Sequence, residues 1–145
     1  MVGAVNELLH SSAAQLDDLF ATGAAEPIPR GEGDGTVLVE PGTQLAGPAA
    51  KLVHLLAWQG KVFDPDRGEL RNEILPFGLH AIRAKVYRDA SWVDGKDAIV
   101  LDYSKTSLVA HWIRDEIRLV GPGIYLGVVF WERARLLRFA LAFPS

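Results

Sequence analysis

The chain has 145 residues, 49% hydrophobic and 23% charged, a balance that excludes a disordered segment and gives one domain with a real core. A formal net charge of −3 weighs against a nucleic-acid binder, whose domains carry a basic excess. With no cysteine there is no disulfide framework, no thiolate metal site and no thiol nucleophile.

Residues 1–20 lack the basic start and continuous apolar run of a signal peptide. No stretch reaches the ~18 apolar residues of a membrane span. The expectation is a cytoplasmic protein. Val5, Leu8, Leu9, Ala13, Leu16, Leu19 and Phe20 recur at three- and four-residue spacing and predict one helix, with Gly23 as its C-terminal cap. Residues 27–35, PIPRGEGDG, read as loop. Their G-x-G-x-G is not a phosphate loop, because no strand precedes it, no helix follows it, and Glu32 and Asp34 repel phosphate. A short strand is expected at 36–40 and a second helix from Pro48 to about Leu56.

From Trp58 the texture changes to strands. Residues 58–64 and 69–75 flank the turn Pro65-Asp66-Arg67-Gly68 and form a hairpin. Residues 80–88 alternate, and Asp94-Gly95 is a strong hairpin signal before a strand at 97–103. The segment 104–112 is ambiguous. Strands at 113–120, Ile124–Trp131 and 136–143 complete the set, the first two joined through Gly121-Pro122-Gly123.

Seven to eight strands on short turns make an antiparallel meander. The later ones are apolar on both faces, so a second layer must cover them, and closure removes exposed edges. The fold class expected is mainly β, a small antiparallel up-and-down β-barrel with two N-terminal helices; an α+β roll is the alternative. The whole chain, 1–145, is one domain: a helical segment and loop, 1–57, covering the barrel strands of 58–145.

Trp58-Gln59-Gly60-Lys61, opening the first long strand, resembles the start of a lipocalin-like (calycin) barrel. It is also similar to the bacterial GXWXG domain of unknown function, although Leu56 stands where that motif has its first glycine. A looser similarity covers residues 102–127. The resemblance implies the barrel fold and, by analogy, an apolar small-molecule cavity.

Within 113–120, Ile113, Asp115, Ile117 and Leu119 share one face, and Arg114, Glu116 and Arg118 the other. An inward Asp115 must find a cation or donor, or its pKa rises. It is expected to be buried and paired with an arginine or lysine of a neighbouring strand. Tyr103, on the face of Ile99 and Leu101, places a phenol inside. Arg118 is an anchor only if its face turns inward; ion pairing on an outer surface is its ordinary role. The same condition applies to Lys61, Arg83 and Lys85 as binders of an acidic head group. Trp58, Trp92, Trp112 and Trp131 either line a pocket or fill the core. His10, His54, His80 and His111 have no H-x-H or H-x-x-x-H spacing, so no metal and no cofactor is expected.

Three functions compete. The first is binding of a small hydrophobic or amphipathic ligand, with Trp58, Tyr103, Arg118 and Trp131 as its lining. The second is a cofactor-independent isomerase, cyclase or lyase with Asp115 as base and Tyr103 as acid. The third is a homodimer of structural or interaction role, using the surplus apolar face.

Overall fold

The computed structural model describes residues 2–38, 60–72, 83–106 and 110–144. The helix expected after Pro48, Trp58, His54 and His80 lie outside the described residues. Eight strands form a closed antiparallel barrel in sequence order: β1 (Gly31–Leu38), β2 (Lys61–Asp64), β3 (Glu69–Asn72), β4 (Arg83–Ala90), β5 (Asp97–Asp102), β6 (Ile113–Gly121), β7 (Ile124–Trp131) and β8 (Ala134–Ala142). β8 closes on β1, with Val37 opposite Phe139. The up-and-down barrel is therefore the architecture. No described helix is long and apolar enough to cross a membrane.

The single N-terminal helix read from the apolar stripe is two: α1 (Val5–Leu9) and α2 (Ala13–Thr22). The break comes at Ser12, whose hydroxyl accepts from the Gln15 amide while the Gln15 side chain accepts from the Ser12 amide. This capping box starts a new helix inside the stripe. The glycine-rich stretch read as loop is the first half of β1. Strand formation there is driven by pairing with Phe63, Val62 and Lys61 rather than by side-chain propensity. The N-terminal segment thus contributes a barrel stave as well as the cover.

Alternation sorts the residues into two cores. Inside the barrel lie Ile99, Leu101, Ile113, Ile117, Val129, Leu137, Phe139 and Leu141. Outside, Leu8, Leu16 and Phe20 of the helices pack on Leu126, Val128, Phe130 and Ala140. That second core explains why β6, β7 and β8 are apolar on both faces, whereas β4, with no helix over it, exposes Arg83, Lys85 and Tyr87. The inner face of β7 leaves room for Phe139 through Gly127, where a Cβ would stand 2.4 Å from the ring.

The two ends of the barrel differ. At one end the strands are joined by tight turns, after β2, β4 and β6. There Phe143 packs edge-to-face on Phe63 and Tyr125, at 5.6 and 5.5 Å between centroids, and Tyr125 donates to the Pro27 carbonyl at 2.7 Å. The connections from β1 to β2, β3 to β4 and β5 to β6 are longer and leave from the opposite end.

On the outer face the Arg118 guanidinium donates to both Asp94 carboxylate oxygens at 2.8 Å and to the carbonyls of Phe20, Lys96 and Asp97. It joins α2, the β4–β5 turn and β6. Arg118→Met keeps the apolar stem but leaves three carbonyls and a carboxylate without their donor, and is expected to cost about 3 kcal/mol in urea unfolding. A loss under roughly 1 kcal/mol would mean that apolar packing alone holds α2 on the barrel.

Candidate functional site inside the barrel

Four polar side chains meet in the barrel interior, each delivered by strand alternation. Lys61, the first residue of β2, points inward with Phe63; Asn72, the last of β3, points inward with Leu70. Tyr103 extends the inner row of Ile99 and Leu101 one step past β5, and Asp115 stands between Ile113 and Ile117 on β6. All four come from strand ends on the long-connection side. β2 and β6 are diametrically opposed in an eight-strand ring, so Lys61 and Asp115 approach from opposite walls.

All four are buried: Lys61, Asn72 and Tyr103 are 0% exposed and Asp115 2%. The Lys61 amine donates to Asn72 Oδ1 and, at 3.3 Å, to the Tyr103 hydroxyl oxygen. Asn72 Nδ2 donates to the same oxygen at 2.9 Å. With two donors on its oxygen, the phenol's remaining capacity is its own O–H. Lys61 Nζ lies 6.0 Å from the centroids of both the Tyr103 and Phe139 rings, so apolar and aromatic surface surrounds the charge.

Asp115 is in a different position. Its Oδ1 is buried and has no hydrogen-bond partner among the described residues. Burial pushes its carboxyl up to about 7, with the Lys61 charge working the other way. Burial lowers Lys61 to about 8, again opposed by the charge of its counterpart. Tyr103 is pushed well above its ordinary value by burial and then by Asp115, so it remains a protonated donor at neutral pH.

The inward face of β6 is thus the one the alternation predicts, and Asp115 and Tyr103 share one interior. The cation that acts on Asp115 is not an arginine or lysine of β5 or β7 but Lys61 across the barrel. Arg118 is on the outer face and bound to Asp94, whose carboxyl it holds down at about 2, so the inward anchor is not realised. Arg114 pairs with Glu116 at 3.1 Å on that same outer face. Arg83 and Lys85 are exposed, leaving Lys61 as the inward member of that cationic set.

Trp131, opposite Ile113 in register, is half-buried against the interior residues on the long-connection side. Trp92 packs edge-to-face on Phe130 outside the barrel, under Arg114 and Arg133, and Trp112 is exposed, so neither lines the interior. His10 is exposed and close to the Asn6 carbonyl. Among the described residues no three His, Asp or Glu side chains gather as metal ligands. Sequence reasoning passed over Asn72; its alternation with Leu70 in β3 is the signal that places it inside.

Fold and site together define a small closed β-barrel with a buried polar group at one end of an apolar interior. A crystal structure of a protein from Thermomonospora curvata is similar to it, with a TM-score of 0.61, 18% identity, and 97% of this chain and 93% of that chain covered. At that identity the likeness is one of fold. No family model matches the chain, and no curated protein matches it.

The Asp115 shift sets a pH dependence of stability. The folded carboxyl keeps a proton that the unfolded chain releases between its ordinary 3.8 and about 7. The contribution of this group to stability is therefore full below pH about 4 and is lost as pH rises through about 7, with a slope of up to ~1.4 kcal/mol per pH unit. Asp115→Asn is expected to flatten this slope in urea unfolding between about pH 4 and 7. An equally steep profile in the variant would assign the titration elsewhere. Asp94 does not interfere, because its depressed value places its own stability loss near pH 2.

Proposed function

We propose that the barrel interior binds one small amphipathic molecule, in the manner of lipocalin-like barrels. Its polar end meets Lys61, Tyr103 and Asp115, and its apolar body lies along Leu101, Ile113 and Val129. The polar group lies toward the end where Trp131 packs, and Phe143 with its aromatic neighbours fills the other. The observation that carries this reading is the unpartnered, buried Asp115 Oδ1. A buried carboxyl lacking a donor costs stability that a purely structural role does not repay, and such costs concentrate at functional sites. A ligand hydroxyl, amide or ammonium supplies the missing donor.

Native mass spectrometry of freshly purified protein tests this. A co-purifying small molecule at one per chain is expected, and Asp115→Ala is expected to weaken its retention at least tenfold, about 1.4 kcal/mol. Protein that is uniformly ligand-free and also ignores hydrophobic fluorescent probes would count decisively against the reading.

A second reading has its own support. A carboxyl raised to about 7 is populated as both base and acid at neutral pH, and Tyr103 offers a hydrogen-bond donor in the same interior. This is the arrangement of a cofactor-independent isomerase, cyclase or lyase, with Asp115 moving the proton and Tyr103 holding an oxyanion. On this reading the wild type and Asp115→Asn carry different molecules, converted in one and unconverted in the other. The same molecule in both would leave binding alone. A homodimer is the third proposal, although α1 and α2 cover the second apolar face of β6–β8 that it would have used; sedimentation at micromolar concentration decides it.

A further inference from the structure

We propose that Lys61 captures the carbonyl group of an aldehyde or ketone ligand as a reversible imine, with Asp115 as proton carrier and then counter-ion. This rests on the reading of the interior as a binding site and names the chemical class it takes. Three features of the interior carry it. The amine is fully buried among apolar and aromatic groups, its direction fixed by Asn72 and the Tyr103 hydroxyl. A carboxyl with an unpartnered oxygen faces it from the opposite wall. Burial also lowers Lys61 to about 8, so a fair share of the side chain is neutral amine, the nucleophilic form, near neutral pH.

The chemistry balances without a co-reactant. The Lys61 nitrogen attacks the carbonyl carbon, and the C=O π pair moves to oxygen. That oxygen takes a proton from the new ammonium to give a carbinolamine. The Asp115 carboxylic acid then protonates the hydroxyl, the C–O bond breaks, water leaves, and the nitrogen lone pair forms C=N. The products are a protonated imine on Lys61, a carboxylate on Asp115 and one water. The iminium then replaces the Lys61 ammonium as the cation that acts on the Asp115 carboxylate from the opposite wall. A neutral carbonyl also enters a buried site more cheaply than a carboxylate ligand, which would set a second negative charge against Asp115. Exclusion of bulk water protects the imine from hydrolysis.

Dodecanal is the probe, with dodecanol as its non-carbonyl counterpart. Wild-type protein is incubated near pH 7.5, reduced with borohydride to fix C=N as a secondary amine, and mapped by peptide mass spectrometry. A single dodecyl group on Lys61 is the expected result. Lys61→Met loses it, and Asp115→Asn forms it roughly 10²-fold more slowly. An adduct spread over Lys85, Lys96 and Lys105, or absent from Lys61 in the wild type, overturns the proposal whether or not the variants fold. If native mass spectrometry shows both probes retained without an adduct, the imine fails and the binding reading stands. If neither probe is retained, both fail.

Discussion

The orientation of β6 is fixed by Arg118, and the rest of the interior follows from that. The guanidinium has five N–H donors, and contacts with Asp94, Phe20, Lys96 and Asp97 use all of them. Two of those acceptors lie in the β4–β5 turn and a third is the Phe20 carbonyl near the C-terminal end of α2, where a cation is favoured. No arrangement with Arg118 inside the barrel keeps these bonds. Because side chains alternate, holding Arg118 outside commits Asp115 to the interior; a one-residue slip would exchange the two rows. The outer ion pairs thus act as the register device for the inner face.

Closure makes that commitment costly. An eight-strand barrel has a narrow interior, with width for its own side chains or for one small ligand among them. A carboxyl placed there is desolvated by burial, so its protonation adjusts. Asp115 rises because it is desolvated, and Lys61 falls for the same reason, each only partly relieved by the other's charge. Asn72 and Tyr103 share the amine between them, which holds it in place without neutralising it. The aromatic packing of Phe63, Tyr125 and Phe143 at the tight-turn end confines this polarity to the other side of the barrel.

What could be read from the sequence is what periodicity and turn chemistry encode. The strand Ile124–Trp131 is where the alternation places it, and the turns at Asp94-Gly95 and Gly121-Pro122-Gly123 separate the strands expected. The inner row Ile113, Asp115, Ile117 was legible because β6 is long and its two faces differ in charge. β1 was not, since glycine carries no side chain and a strand built on Gly31, Gly33 and Gly35 has no visible period. Those glycines serve packing: a Cβ on Gly33 would stand 2.5 Å from the Phe143 ring. The helix break at Ser12 was hidden by an apolar stripe that runs on across it, although Ser12 and Gln15 have capping-box spacing. Trp92 misleads because its neighbours, Phe130 and two arginines, come from distant parts of the chain. Lys61 was visible as a cation, but its pairing with Asn72 and its opposition to Asp115 are facts of barrel closure that no local pattern carries.

The contrast between the two faces of β6 separates scaffold from site. Glu116 is as buried as Asp115, yet its carboxylate accepts from Ser91, the Trp92 amide and Arg114. Arg118 is equally buried and uses every donor. These are charges taken out of water and fully repaid by partners, as a structural role requires. Asp115, one residue from Glu116 and three from Arg118, has the same burial without the same satisfaction. A chain able to pair every charge on one face of a strand has left one acceptor open on the other. That difference within a single element, and not the barrel fold, is the observation on which the proposed binding in the interior rests.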